Sequence, residues 1–247
     1  MGLPLPREWQ VRLDGIRREL DALPPAAKPP GLADLLRRLR WTPPGNGHLT
    51  LRFLGNVPAP RIPELATALA QVAFAPFMLA VGKAGAFPAS GAPRVVWLGL
   101  ARGGKECASL AGAVNAALAP LGFAPEVRPF APHLTLARVH EARSGDRPEN
   151  DRPEDAPQGH DRQAHGWPGN DRRSRACPDG ASAFPTFPQA DARAALLAAL
   201  RAAIDAGTTR AAPPWPASMV HEMVLWRSDL GGPHPVYTPL AVLPARG

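Results

Sequence analysis

The segments Gly47-His48-Leu49-Thr50-Leu51 and Pro132-His133-Leu134-Thr135-Leu136 share the tetrapeptide His-Leu-Thr-Leu, at positions 85 residues apart. In an extended strand, successive side chains point to opposite faces, so each copy presents one imidazole and one hydroxyl on one face and two leucines on the other. Two histidines held on opposite sides of one phosphate can act on it as acid and base. The sequence therefore predicts two motif strands whose histidines and threonines share a cleft.

Length and composition limit the class of protein. The 247 residues, 45% of them hydrophobic, suffice for a sizeable core. No apolar run is long enough to span a membrane, and the N-terminal segment lacks the apolar stretch of a secretory signal. The two cysteines, Cys107 and Cys177, fit neither a disulfide framework nor a zinc site. We therefore expect a reduced, cytoplasmic, monomeric protein with no metal site.

The net charge points to a class of partner. A formal charge of +7 and a pI of about 10.6 suit a polyanion such as RNA. The Arg-, Ala- and Pro-rich composition by itself accounts for this charge equally well, because no compact Lys/Arg cluster stands out.

Hydrophobic periodicity predicts an alternation of helices and strands. Apolar residues spaced by three and four predict helices at 6–23, 31–39, 62–72, 110–121 and 190–206. Short apolar runs bounded by Gly and Pro predict strands at 48–54, 77–81, 94–100, 133–139, 219–227 and 235–243. The order after each tetrapeptide is the same: motif strand, helix, strand, turn, strand. Two such lobes can pack pseudo-symmetrically and bring the motif strands side by side.

One segment interrupts this pattern. Between Arg143 and Ala183 there is no Val, Ile, Leu or Met, and Asp-Arg-Pro-Glu occurs twice. Such a segment cannot bury enough apolar area to offset roughly 1–2 kcal/mol of backbone entropy per residue. The composition predicts a disordered low-complexity insertion at 143–184, within a single domain of two lobes formed by 1–142 and 185–247.

The two His-x-Thr-x motifs and their flanks resemble the 2H phosphoesterase superfamily, and within it the RNA 2′,3′-cyclic phosphodiesterases, historically called 2′-5′ RNA ligases. Further matching segments are 49–55, 94–99, 128–130, 225–228 and 237–240. The resemblance covers nearly everything except the insertion. It implies an α+β, bilobal, pseudo-symmetric fold in which two antiparallel sheets flank a central cleft, with helices outside. Family members usually begin with a strand of the type Arg-Leu-Phe-x-Ala before a Leu-Pro segment; here only Met1-Gly2 precede Leu3-Pro4, so we expect the first strand to be missing.

The resemblance also implies a reaction, the hydrolysis of 2′,3′-cyclic phosphate RNA ends to 2′-phosphomonoesters without metal or cofactor. His48 is then the proton donor to the 3′ oxygen, and His133 is the base that activates water. Histidine suits both roles because its unperturbed pKa of about 6.5 allows either protonation state near neutral pH. Thr50 and Thr135 would hydrogen-bond the non-bridging phosphate oxygens.

Two arginines are further candidates for binding phosphate. Arg138 matches a basic position after the second motif in relatives, but strand alternation places it on the face opposite His133 unless a bulge intervenes. Arg52 shares the face of His48. Each is equally compatible with a solvated surface charge.

Aromatic side chains offer a possible contact with a base, as in single-stranded RNA sites. The candidates are Phe53, Phe87, Phe130 and Tyr237, although most are expected to be core, as is Trp97. Three other functions stay open. They are 2′-5′ ligation of tRNA halves by the same histidines, hydrolysis of small cyclic nucleotides, and RNA binding without catalysis.

Overall fold

A computed structural model of the chain describes residues 1–29, 31–43, 45–124, 126, 129–140, 189–206, 215–229, 231 and 235–246. All of these residues belong to one compact unit. The insertion predicted at 143–184 lies outside the described residues, and so do its boundaries.

Helices occur close to the positions that periodicity predicts. They are α1 (Arg7–Asp21), α2 (Leu32–Arg38), α3 (Ile62–Ala70), α4 (Gly104–Leu118) and α5 (Gln189–Ala206). Their apolar stripes face the core, as Trp9, Ile16 and Leu20 of α1 and Leu196 and Leu200 of α5 illustrate. Fully burying one such side chain contributes roughly 1.5–3 kcal/mol. None of the described helices is long and apolar enough to cross a membrane.

The strands are β1 (Gly2–Pro4), β2 (Leu39–Trp41), β3 (His48–Thr50), β4 (Phe77–Phe87), β5 (Val95–Arg102), β6 (His133–Val139), β7 (Ser218–Val220), β8 (Glu222–Asp229) and β9 (Val236–Pro244). Every strand pair among the described residues is antiparallel, in the order β7-β4-β5-β6-β3-β1-β8-β9, and β2 also pairs with β6. The α+β prediction is thus confirmed. The two sheets of the prediction are connected, because Leu49 of β3 pairs with Leu134 of β6.

Each motif strand lies on the same side of the sheet as the β-hairpin that follows the other motif strand in sequence. The β4–β5 hairpin follows the first motif strand in sequence, yet β5 pairs with the second motif strand, β6. The β8–β9 hairpin follows the second motif strand, yet it reaches the first, β3, through β1. Each motif strand is therefore supported by the hairpin that follows the other motif.

The sheet position expected to be empty holds the short strand β1. This strand lies between β3 and β8, and its Leu3 is completely buried. Gly2 fits there because it has no side chain, as a Cβ at Gly2 would lie 2.3 Å from the carbonyl oxygen of Leu49. Residues 2–4 therefore occupy the sheet position between β3 and β8.

Other differences from the predicted elements have local causes. β4 continues to Phe87 through a glycine-rich stretch that the sequence predicts as a turn, because Gly85 leaves room for the indole of Trp97. A Cβ at Gly85 would lie 2.3 Å from that ring. β2 follows α2 directly, without the Gly or Pro that signals a new element, and is not predicted at all. The strand predicted at 219–227 is divided at His221 into β7 and β8.

Candidate active site

The register of the motif strands brings the four motif side chains together. Because Leu49 pairs with Leu134, extending the antiparallel register by one residue each way places His48 opposite Thr135 and Thr50 opposite His133. Directly opposite Cβ atoms lie roughly 4.5–5.5 Å apart, and diagonal neighbours, such as the two histidines, roughly 7–8 Å.

Burial follows the predicted alternation. Leu49 and Leu134 are buried, whereas the histidines and threonines on either side of them are half-buried. The leucines thus fix the two strands in the core, and the four polar side chains share the opposite face. They form a rectangle with the two histidines at one pair of opposite corners and the two threonines at the other.

Matching hydrogen bonds fix both imidazole rings. His48 Nδ1 lies 2.9 Å from the carbonyl oxygen of Asn46, and His133 Nδ1 lies 2.7 Å from that of Ala131. A carbonyl oxygen only accepts hydrogen bonds, so each Nδ1 carries the proton and donates it. In both rings Nε2 is therefore the nitrogen left to accept or release a proton.

The segment before His48 is also tied to the β8–β9 hairpin. The side-chain amide of Asn46 donates a hydrogen bond of 2.6 Å to the carbonyl oxygen of Pro235. Asn46 thus contacts the His48 ring through its carbonyl oxygen and the start of β9 through its amide. These two bonds orient the ring relative to the hairpin.

An aromatic pair flanks each histidine. The His48 ring lies 5.1 Å from Trp226 and 4.8 Å from Tyr237, between ring centroids. The His133 ring lies 5.2 Å from Phe87 and 6.2 Å from Trp97. Each pair comes from one exchanged hairpin, so the pseudo-symmetry of the motifs extends to the walls of the cleft.

These contacts change the interpretation of several aromatic residues. Trp97, which the sequence predicts as core, shares the face of Thr135, its partner in the sheet. Phe87 and Tyr237 contact the histidines, whereas Phe130 packs against the core. Phe53 is 69% exposed and has left the strand. Trp226 is the residue missed by sequence reasoning. Strand alternation along β8 could not have found it, because Met223, Val224 and Leu225 are consecutive and buried, and the register shifts between Leu225 and Trp226.

Burial affects the ionisation of His48. Burial lowers the pKa of His48 below its ordinary value, and its hydrogen bond to the Asn46 carbonyl opposes that shift. The aromatic rings of Trp226 and Tyr237 contribute to this burial.

The structure does not support a phosphate-binding role for Arg52. This residue is only 4% exposed, and its guanidinium donates to the side-chain oxygen of Asn115 in α4 and to the carbonyl oxygen of Ala124. The alternation that predicts Arg52 on the face of His48 fails because β3 ends at Thr50. Arg52 instead links the end of the motif strand to α4.

A bulge brings Arg138 to the face of the motif residues. In the β5–β6 ladder, Trp97 pairs with Thr135 but Val96 pairs with Ala137, so Leu136 is an extra residue. Leu136 and Ala137 are consecutive and both buried, as expected where a bulge shifts the alternation by one residue. Arg138 is consequently exposed on the same face as Thr135, which resolves the alternative left open by the sequence.

A cavity borders this cluster, and a buried cysteine lies in α4. The cavity is lined by Gln10 and Asp14 of α1 and by Trp41 and Thr135, and no motif histidine lines it. Cys107 is buried in α4, and burial raises the pKa of its thiol to about 12. Among the described residues, no group of three or more His, Cys, Asp and Glu side chains could hold a metal ion.

Paired His-x-Thr strands in the middle of a pseudo-symmetric antiparallel sheet define a 2H phosphoesterase. The family model described as LigT-like phosphoesterase matches residues 3–97 and 98–155. The chain therefore belongs to this family, and the resemblance proposed from its motifs is confirmed.

Individual relatives agree with this assignment. An RNA 2′,3′-cyclic phosphodiesterase of Aeropyrum pernix is 41% identical over 99 residues, which cover 40% of this chain and 56% of the relative. The protein of the same name from Escherichia coli K12 is 33% identical over 136 residues, covering 55% and 68%. The chain spans about half the length of the Aeropyrum relative and of several others that it matches.

A solved structure shows the same fold. The crystal structure of E. coli LigT complexed with 3′-AMP matches with a TM-score of 0.57 and 22% identity, over 100% of this chain and 96% of that chain.

Proposed function

We propose that this protein hydrolyses 2′,3′-cyclic phosphate ends of RNA to 2′-phosphomonoesters by metal-free acid–base catalysis. The observation that carries the proposal is the Leu49–Leu134 register, which gathers two imidazoles and two hydroxyls on one face. The names of the curated relatives support the choice of substrate. The cytoplasmic location and the monomeric state stay predictions.

The diagonal arrangement suits displacement at phosphorus. In an in-line displacement, the attacking oxygen and the leaving oxygen lie on opposite sides of the phosphorus. Histidines at opposite corners of the rectangle can each reach one of these oxygens, while the threonines at the other corners donate hydrogen bonds to the non-bridging oxygens.

In the proposed reaction, one histidine removes a proton and the other donates one. His133 Nε2 removes a proton from water as the water oxygen bonds to phosphorus. The bond from phosphorus to the 3′ oxygen breaks, and His48 Nε2 gives its proton to that oxygen. The product is a 2′-phosphomonoester with a free 3′-hydroxyl, and both rings regain their starting protonation through exchange with solvent.

Arg138 and the aromatic pairs complete the proposed site. We assign Arg138 to a substrate phosphate, and the bulge at Leu136, which turns this residue to the face of Thr135, supports the assignment. The ring faces of Trp226 and Tyr237, and those of Phe87 and Trp97, give the cleft apolar walls that can pack against ribose or base.

Product analysis tests the proposal. An oligoribonucleotide ending in a 2′,3′-cyclic phosphate is incubated with the protein. Sensitivity to phosphomonoesterase shows that the ring has opened, and chromatography against synthetic 2′-phosphate and 3′-phosphate standards, which have the same mass, identifies the end. We expect a 2′-phosphate end. A 3′-phosphate product, or no product, contradicts the proposal; joining to an RNA with a 5′-hydroxyl indicates ligation, and binding without turnover indicates an RNA-binding module.

A pH profile tests the assignment of His48 as the acid. Because burial lowers the pKa of His48, the free protein loses the required proton as pH rises through a value below about 6.5. The alkaline limb of kcat/KM should therefore lie below that pH. The alkaline limb of kcat should lie at a higher pH than that of kcat/KM, because a bound anionic phosphate favours the protonated form of His48.

Replacing His48 by asparagine identifies the limb that belongs to it. Loss of the alkaline limb supports the acid role. Loss of the acid limb instead would exchange the roles of His48 and His133.

A further inference from the structure

Asn46, two residues before the first motif histidine, forms a hydrogen bond with each of its polar groups. Its backbone N–H donates to the carbonyl oxygen of Pro43 at 3.0 Å and closes a turn in which Gly45 has a φ of +85°, a conformation that glycine adopts without strain. Its carbonyl oxygen accepts from His48 Nδ1 at 2.9 Å. Its side-chain amide donates to the carbonyl oxygen of Pro235 at 2.6 Å. The carbonyl oxygen that orients the His48 ring therefore has a fixed position.

The side-chain bond of Asn46 reaches the hairpin that surrounds the same imidazole. Pro235 lies 189 residues away in sequence, directly before β9. The β8–β9 hairpin also provides Trp226 and Tyr237, whose rings contact His48. Asn46 thus connects the hydrogen-bond acceptor of the ring to the element that forms its aromatic walls.

The second motif has no corresponding side-chain bond. His133 Nδ1 donates to the carbonyl oxygen of Ala131, which is also two residues before the histidine. Ala131 is exposed, and its methyl group cannot form a hydrogen bond. Both imidazoles are therefore oriented by a local carbonyl oxygen, but only the one next to His48 belongs to a residue whose side chain is bonded to a distant strand.

A proton donor has a particular need for this arrangement. Burial lowers the pKa of His48, and the hydrogen bond to the Asn46 carbonyl opposes that shift, because the protonated ring is the stronger donor. A fixed acceptor at Nδ1 also keeps Nε2, on the other side of the ring, pointing in one direction. Movement of this carbonyl would therefore both reduce the protonated fraction of His48 and misdirect its proton.

We infer that Asn46 is a positioning residue for the proton donor, because its side chain, bonded to Pro235, fixes the carbonyl oxygen that orients His48. This inference rests on the proposed function and adds an asymmetry to it. The orientation of the acid depends on a contact between distant parts of the chain, whereas the hydrogen bond that orients the base is local.

Asn46→Ala tests the anchor without a substrate. An NMR titration of the ring nitrogens reports the protonation and the tautomer of His48. In the variant, the pKa of His48 should fall below its wild-type value, and the neutral ring should become a mixture of tautomers, because Nδ1 loses its fixed acceptor. The ionisable groups near the ring among the described residues are the N-terminal amine, His133 and Arg138 of β6, and Tyr237 of β9. The substitution changes none of their charges.

Kinetics separate a misplaced acid from general damage to the site. For the natural cyclic phosphate, kcat/KM of Asn46→Ala should fall by about 10–100-fold, as for a displaced catalytic group, and its alkaline limb should move to lower pH. A substrate with sulfur in place of the 3′ bridging oxygen releases a thiolate, which needs no proton. On that substrate the variant should lie within about 3-fold of the wild type.

Two further variants support the comparison. Asn46→Leu keeps the branched shape of the side chain but has no donor, and it should behave like Asn46→Ala in every measurement. Asn56→Ala replaces an exposed asparagine that follows the first motif strand. It is the matched control and should behave like the wild type.

The possible failures are distinguishable. Wild-type turnover together with an unchanged His48 tautomer and alkaline limb in both Asn46 variants overturns the positioning role alone, and so does an equal loss on the oxygen and sulfur substrates. Absence of turnover of every cyclic phosphate by the wild type overturns the proposed function, and the positioning role with it.

Discussion

His48→Asn and His133→Asn are each expected to lower kcat for cyclic phosphate hydrolysis by roughly 10²–10⁴-fold, the usual contribution of a positioned acid or base. Asparagine is chosen because its short amide can still donate to the carbonyl oxygen that accepts from Nδ1, while it offers nothing in place of Nε2. The double variant should be little slower than either single variant, since the two groups act as a unit.

A sulfur-substituted substrate separates the two roles. When sulfur replaces the 3′ bridging oxygen, the leaving group is a thiolate, which needs no proton because thiols have a pKa near 8.5. On this substrate His48→Asn should recover to within about 10-fold of the wild type, whereas His133→Asn should stay at least 100-fold slower. Steady-state rates on the oxygen and sulfur substrates provide the comparison.

His221→Asn is the control, since this histidine is exposed between β7 and β8 and has no assigned role. Thermal unfolding should show that all variants remain folded. Equal losses for both histidine variants on the sulfur substrate would refute the division into acid and base, and full activity of either on the oxygen substrate would refute the mechanism.

Arg52→Ala is expected to lower the free energy of unfolding by about 2–4 kcal/mol, the range for removing a buried side chain together with its hydrogen bonds. The substitution leaves the side-chain oxygen of Asn115 and the carbonyl oxygen of Ala124 without their donor. Urea unfolding measures the change. KM for the cyclic substrate, measured on the folded protein, should not change, because Arg52 faces α4 rather than phosphate.

Two further variants sharpen the result. Arg52→Met combined with Asn115→Leu should be more stable than Arg52→Met alone, because replacing both partners leaves fewer unpaired polar groups. Arg201→Ala, on the exposed side of α5, should change stability by less than about 0.5 kcal/mol. An Arg52→Ala protein of normal stability with a raised KM would restore the phosphate-binding role predicted from the sequence.

Strand alternation is sufficient to predict the centre of the site. His48, Thr50, His133 and Thr135 need only extended backbone and buried leucines between them to share a face, and both conditions follow from the tetrapeptide. The apolar stripes of the helices are also set by residues close together in sequence, and α1 and α5 accordingly match their predicted positions. The family resemblance is confirmed for the same reason, since it rests on these short segments.

The surroundings of the motifs depend on information that is not local. One extra residue, Leu136, determines which face of the sheet Arg138 occupies. The end of β3 at Thr50 determines that Arg52 is buried against α4. Neither feature can be recognised from hydrophobic periodicity. Trp97 reads as core because its neighbours are apolar, whereas its partner in the sheet is Thr135. Pairing between distant strands determines all three outcomes.

The exchanged hairpins bear on how such a chain can arise by duplication. Each imidazole rests against rings contributed by the segment downstream of the opposite motif, so a protein with a single unit has only half of a catalytic pocket. Such an ancestor could complete the pocket only as a homodimer in which the hairpin of each subunit packs against the motif strand of the other. Fusion of the two copies into one polypeptide keeps each motif strand together with the hairpin that completes its half of the pocket.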